Sequence, residues 1–133
     1  MIAVDSSVII DFLFDGPSSE ASAETLRDAA ERGRLALSDV ALAEVCARGQ
    51  SDAIRGVLQS LGFQYHPTNE TAAARAGEML QRYRMRSGSS ARIVADFLIG
   101  AHALIQCEGL ITLDAGFYRD YFKGLRVIVP GKR

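Results

Sequence analysis

Four acidic residues of this chain stand where an ionised side chain is costly. Asp5 closes the apolar run Ile2-Ala3-Val4. Glu44 lies within Val40-Ala41-Leu42-Ala43-Glu44-Val45-Cys46-Ala47, and Asp96 within Ile93-Val94-Ala95-Asp96-Phe97-Leu98-Ile99. Asp114 directly follows Leu110-Ile111-Thr112-Leu113. Each is the only charge in its stretch. An ionised carboxylate buried without a partner is strongly penalised, and Asp or Glu is rarely buried unless paired or bound to a cation. Basic residues are scarce nearby; the nearest to Asp96 is Arg92, one helical turn earlier. A shared divalent cation answers for all four. Mg2+ is held by one or two carboxylates with water and substrate phosphate oxygens, and Mn2+ accepts the same ligands. The chemistry that fits is phosphodiester hydrolysis, in which a divalent ion makes water nucleophilic near neutral pH and neutralises charge on the phosphoryl oxygens.

Each residue also has a plainer reading. Asp5 and Asp114 could cap the helices that follow them. Glu44 could pair with Arg48 at i, i+4. Asp96, in the middle of an apolar helix expected over 91–106, is the hardest to explain structurally. The other acids raise no such question. Glu20, Glu24, Asp28 and Glu31 share the outward side of one helix, Asp52, Glu70 and Glu78 are similar, and Asp11 is read as structural or at the rim. Nucleophilic catalysis of the Ser-His-Asp kind has little support, because His66 and His102 are the only histidines. His66 abuts Pro67 at a strand end and reads as structural. His102 follows Asp96 by six residues, about 240° round a helix, and reads as a core or interface residue. Cys46 and Cys107 sit in apolar stretches with no partner at zinc-ligand spacing. They read as buried free thiols in a reducing compartment.

The elements that must position these groups alternate. Short apolar strands are expected at 2–4, 35–37, 63–66, 110–112 and 126–129. Helices are expected at 8–14, 19–32, 39–48, 51–61, 69–85, 91–106 and 115–122, with a polar loop around Gly88 over 86–90. Gly16-Pro17, Gly33, Gly49, Gly62 and Pro67 punctuate the pattern. This alternation predicts an α/β fold: a three-layer α/β/α sandwich around a mainly parallel sheet of about five strands, forming one domain over residues 1–133. In such sheets ligands bind beyond the carboxyl ends of the strands, near the switch in strand order. Asp5 and Asp114 fall just past strands. Glu44 and Asp96 would reach the same point from the first turns of helices that follow or flank it.

Bulk properties narrow the class without naming it. An apolar content of 48% in 133 residues supports a packed core without disulfides. A net charge of −1 argues neither for nor against a nucleic-acid partner. Thirteen of the fifteen basic residues are Arg, which suits bidentate phosphate contacts but equally follows from GC-rich coding. The stretch Arg82-Tyr83-Arg84-Met85-Arg86, continuing to Arg92, is the candidate segment for contacting a phosphodiester substrate, with Tyr83 available for base stacking. The same basic residues would also suit a solvated helix end. No signal peptide or membrane-spanning run is expected, which points to a soluble cytoplasmic protein.

The ordered quartet resembles the PIN-domain family. The resemblance rests on Asp5-Ser6-Ser7 after the first strand, the isolated Glu44 in the third helix, and Asp96 followed by Ile99, Ala101 and Ala103. It extends to Thr112-Leu113-Asp114 after the fourth strand and the closing Arg126-Val127-Ile128-Val129-Pro130. It implies that Asp5, Glu44, Asp96 and Asp114 form an acidic metal-binding and catalytic cluster, with Ser6 and Thr112 as supporting polar residues. At this length the chain is most similar to VapC-type toxins. These are Mg2+-dependent endoribonucleases of toxin–antitoxin pairs, usually homodimers, inhibited by a VapB-type antitoxin. The alternative is a catalytically silent PIN-like module that binds RNA or protein. Haloacid-dehalogenase and receiver domains fit less well: the former want a second Asp at position 7, which is Ser, and the latter want an acidic pair where Asp5 stands alone.

Overall fold

A computed structural model describes residues 1–87 and 92–131. Strands β1 (Ile2–Val4), β2 (Leu35–Leu37), β3 (Phe63–Tyr65), β4 (Gly109–Ile111) and β5 (Val127–Ile128) form one sheet in the order β3-β2-β1-β4-β5. Every pairing is parallel. The helices are α1 (Ser6–Leu13), α2 (Ser19–Arg32), α3 (Asp39–Cys46), α4 (Ser51–Ser60), α5 (Glu70–Ser87), α6 (Val94–Gln106) and α7 (Ala115–Tyr121).

The period of two along a strand sends neighbouring side chains to opposite faces, and β1 uses both. Ile2 and Val4 enter a core with Val8 and Ile9 of α1, Leu26 of α2, Val45 of α3 and Leu58 of α4. Ala3 enters a second core with Leu80 of α5, Phe97 and Ala101 of α6, and Phe117 of α7. In β4, Ile111 joins the first core and Leu110 the second. The result is the expected three-layer sandwich, with α1–α4 on one face and α5–α7 on the other. The uniformly buried strands β1, β2 and β4 follow from that double coverage, whereas the edge strand β3 exposes Gln64 and Tyr65.

Several boundaries differ from the sequence expectation, each for a local reason. Helix α1 begins at Ser6 rather than Val8, because the Asp5 carbonyl already accepts from the N–H groups of Val8 and Ile9 at 3.1 and 3.4 Å. Helix α3 stops at Cys46, and Gly49 at φ 101° turns the chain into α4. Helix α5 runs on to Ser87, so the expected loop does not begin at Arg86. The rest of that loop, 88–90, and Ala91 lie outside the described residues, as does Lys132. Helix α6 starts at Val94, not 91, which moves Asp96 from mid-helix to the third helical position.

Strand order reverses between β1 and β4. The register pairs Val4 with Ile111, and the Asp5 N–H donates to the Ile111 carbonyl at 2.9 Å. The residues that leave these two strands, Asp5 and Thr112, are therefore side by side although 107 positions apart in the chain.

Candidate active site

Asp5 is 6% exposed, and its carboxylate is not spent on capping α1. Its Oδ2 accepts from the Thr112 hydroxyl at 2.7 Å and from the Ser7 hydroxyl at 3.0 Å. Thr112 in turn accepts from the Asp114 backbone N–H at 2.9 Å. Burial pushes the Asp5 carboxyl above its ordinary pKa. The hydroxyls of Thr112 and Ser7 only partly offset this, and the charge of Asp114 adds to it.

Glu44 lies in the second turn of α3, later than the first-turn position expected. It does not pair with Arg48, whose guanidinium stands 5.0 Å over the Phe14 ring. The Ser6 hydroxyl donates to Glu44 Oε1 at 2.8 Å and lies 3.5 Å from Asp5 Oδ1. One hydroxyl has one proton, so the shorter contact is the bond, and the Ser6 hydroxyl stands between the two acids while bonding Glu44. Burial raises the Glu44 pKa, against the Ser6 hydrogen bond, and the charges of Asp5 and Asp96 raise it further. Asp96 is half-buried, and its Oδ2 accepts from the Ile93 N–H at 3.1 Å, a donor that the start of a helix leaves unpaired. Asp114 makes no capping hydrogen bond to α7. It pairs instead with Arg92 at 2.5 Å, and Arg92 stacks 4.2 Å over the Phe117 ring.

Tyr118 of α7 carries no obvious sequence signal, yet it reports on all four acids at once. Its ring is 2% exposed. Burial holds its hydroxyl far above the ordinary range, and the charges of Asp5, Asp96, Asp114 and Glu44 reinforce the effect. The charges of all four carboxylates thus act on one buried hydroxyl of α7. The carboxylates are not drawn into a tight cage. Among the described residues, the group with ligand atoms all within 4.8 Å of one another is a different one: His66, His102 and Cys107. The donors around the acids are carboxylate and hydroxyl oxygens, a set that suits a hard cation completing its shell with water and phosphate.

The arginine segment divides. Arg82, Arg84 and Arg86 are exposed on the last turns of α5. Arg82 and Arg86 share one side, while Arg84 is turned about 200° away. Tyr83 is not available for base stacking as expected. It is 8% exposed and packs against Phe97 and Tyr121, with centroids at 5.6 and 5.3 Å. Asp11 is buried: Ser22 Oγ and the Ser18 N–H donate to its carboxylate at 2.8 and 3.1 Å, fastening α1 to the start of α2. His102 is a core residue at 1% exposure. Cys46 and Cys107 are free but only half-buried.

Comparison with known proteins agrees with this architecture. The sequence pattern of the PIN domain matches residues 2–123. Ribonuclease VapC10 of Mycobacterium tuberculosis is 36% identical over an alignment that spans 100% of this chain and 98% of the relative. Among solved structures, VapBC2 from Rickettsia felis, bound to a DNA fragment from its promoter, superposes with a TM-score of 0.75 at 18% identity, covering 97% of this chain and 98% of the other. FitAcB from Neisseria gonorrhoeae gives 0.67 at 24% identity, with 98% of each chain covered. The chain belongs to the PIN-domain family, among the relatives of ribonuclease VapC10.

Proposed function

We propose that this protein is a divalent-metal-dependent endoribonuclease that hydrolyses RNA phosphodiester bonds and acts as the toxin of a type II toxin–antitoxin pair. Full-length similarity to ribonuclease VapC10 supports the reaction class. The observation that carries the site assignment is the buried Asp5 carboxylate, with Glu44, Asp96 and Asp114 around it at the β1/β4 switch. Asp5, Glu44, Asp96 and Asp114 would hold Mg2+, with Mn2+ as a substitute. A bound ion supplies Lewis acidity toward water and the phosphoryl group.

The chain's own residues do the positioning. Thr112 and Ser7 fix the Asp5 carboxylate, and Ser6 orients Glu44 toward it. Arg92 holds Asp114 and, stacked on Phe117, presents a guanidinium at the rim that suits a phosphate. Arg82, Arg84 and Arg86 are assigned to the RNA backbone, with Arg82 and Arg86 acting together because they share a helix face. The chain works as one domain in the cytoplasm, as a homodimer, with a VapB-type antitoxin as its partner. Solved VapBC and Fit complexes of the same fold support that pairing, and among the described residues no helix is long and apolar enough to cross a membrane.

The test is cleavage of a mixed RNA pool by antitoxin-free protein, in Mg2+ or Mn2+ against EDTA, with Asp96→Asn as control. Metal-dependent cleavage that the substitution abolishes is expected. Absence of cleavage in either metal, together with no metal-dependent rise in melting temperature, would sink the proposal in favour of a silent binding module.

A further inference from the structure

His66, His102 and Cys107 take no part in the chemistry above, yet two separate pieces of chain, the end of β3 and the second half of α6, bring them together. His66 follows β3, its N–H donating to the Leu37 carbonyl at 2.8 Å. His102 is buried in the middle of α6, and Cys107 closes that helix. His66 Nδ1 lies 3.0 Å from His102 Nε2, and the His66 carbonyl oxygen lies 2.8 Å from the same atom. One ligand atom from each of the three residues falls within 4.8 Å of the others.

Proton counting defines what this cluster offers. Burial lowers the His102 pKa, opposed by its bond to the His66 carbonyl, so its ring is neutral near pH 7 and carries one proton. A carbonyl oxygen can only accept, so His102 Nε2 must be the donor in the 2.8 Å contact. His66 Nδ1, 3.0 Å from that same nitrogen, then has to present a lone pair. Burial pushes the Cys107 thiol up to about 11, so it too is protonated at neutral pH. The metal-free cluster is therefore a neutral group with one lone pair already directed inward and two protons that a cation could displace.

The frame that holds it is built from other bonds. The Asn69 N–H donates to Gln106 Oε1 at 2.9 Å, and Gln106 Nε2 donates to the Pro67 carbonyl at 3.0 Å. The Thr68 N–H and hydroxyl both donate to Asp39 Oδ1, at 2.9 and 2.7 Å. The segment 66–69 is thus fastened to the end of α6 and to the start of α3 without help from the cluster. Preorganisation of this kind is what a ligand set requires.

We propose that His66, His102 and Cys107 form a second metal site, distinct from the carboxylates, that takes Zn2+ or a similar borderline transition ion. Two imidazoles and a thiolate select such ions over Mg2+. Zn2+ most often takes four ligands, and the half-burial of His66 and Cys107 leaves water access to a fourth position. On binding at neutral pH, the Cys107 thiol loses its proton to solvent. The His102 proton moves through solvent from Nε2 to Nδ1, freeing Nε2 as a ligand. One proton is released in all, so affinity rises with pH. The bound ion would clamp the end of β3 to α6.

The experiment is a Co2+ titration of EDTA-stripped, full-length protein in excess Mg2+, which keeps the carboxylates occupied. A thiolate-to-cobalt charge-transfer band saturating at one ion per chain is expected. It should persist in Cys46→Ser, vanish in Cys107→Ser and weaken in His66→Gln. Zn2+ should raise the melting temperature of the wild type but not of Cys107→Ser, and should slow alkylation of Cys107 in the wild type, a readout that needs no variant to fold. RNA cleavage in Mg2+ by Cys107→Ser should match the wild type, so the two metal readings fail separately. A band that survives Cys107→Ser, or a wild type with neither the band nor Zn2+ protection, would overturn the site and leave a hydrogen-bonded clasp.

Discussion

The Thr112 hydroxyl donates to Asp5 Oδ2 at 2.7 Å while its oxygen accepts from the Asp114 N–H at 2.9 Å. One threonine thereby couples the ends of the two central strands and the two acids that follow them. Thr112→Val preserves shape and removes both bonds. The buried Asp5 carboxylate then loses its shortest donor, at a cost of roughly 1–3 kcal/mol. Urea denaturation in EDTA should show the loss, and cleavage should fall along with it. An unchanged midpoint would mean that Ser7 alone satisfies Asp5.

Burial and the charges of Asp5 and Asp96 disfavour the charged form of Glu44, and the Ser6 hydrogen bond only partly opposes them. Glu44→Gln keeps an acceptor for Ser6 and removes a negative charge. In EDTA, stability should equal or exceed that of the wild type, within about 1 kcal/mol, while metal-dependent cleavage drops to background. Clear destabilisation in EDTA, with cleavage retained, would make Glu44 a structural residue.

Asp39 governs a pH dependence in the acid range. Burial acts to raise its pKa, but hydrogen bonds led by the Thr68 N–H and hydroxyl, with the backbone N–H groups of Asp39 and Val40, outweigh it, and the carboxyl ends below its ordinary 3.8. A folded pKa below the unfolded one contributes stability that is fully present above about 3.8 and is lost as pH falls through the lower folded value. Thr68→Val should therefore lower the melting temperature at neutral pH and narrow its difference from the wild type in that acid range. A difference constant across the range would remove Asp39 as the cause.

Asp11 and Gly16 are mutually dependent. A Cβ built on Gly16 would overlap Asp11 Oδ1, the oxygen that accepts from the Ser18 N–H. Gly16→Ala should cost about 1–3 kcal/mol through overpacking. Asp11→Ala should cost a similar amount through the Ser22 hydroxyl and Ser18 N–H left unpaired. The double variant should cost less than the sum, because both changes act on one carboxylate. Additive losses in a double-mutant cycle would show that the two positions act independently.

Much of the architecture was legible in the chain alone. Short, uniformly apolar runs such as Ile2-Ala3-Val4 fix a parallel sheet covered on both faces, because only double coverage removes the need for a polar side. Isolated acids in apolar stretches identified Asp5, Glu44, Asp96 and Asp114 as residues needing a partner, since the penalty for burying charge depends on residue type and surroundings that the sequence displays. Tertiary structure decided which partners they found. Asp5 takes Thr112 from across the chain rather than capping α1. Glu44 takes Ser6 rather than Arg48, and Arg92 takes Asp114 rather than Asp96. It also decided that Tyr83 is a core ring, that Asp11 is buried, and that His66, His102 and Cys107 meet although their spacing resembles no zinc motif. Each of these depends on how helices cross and strands neighbour one another. Local periodicity records which face of an element is apolar, but not what stands opposite it.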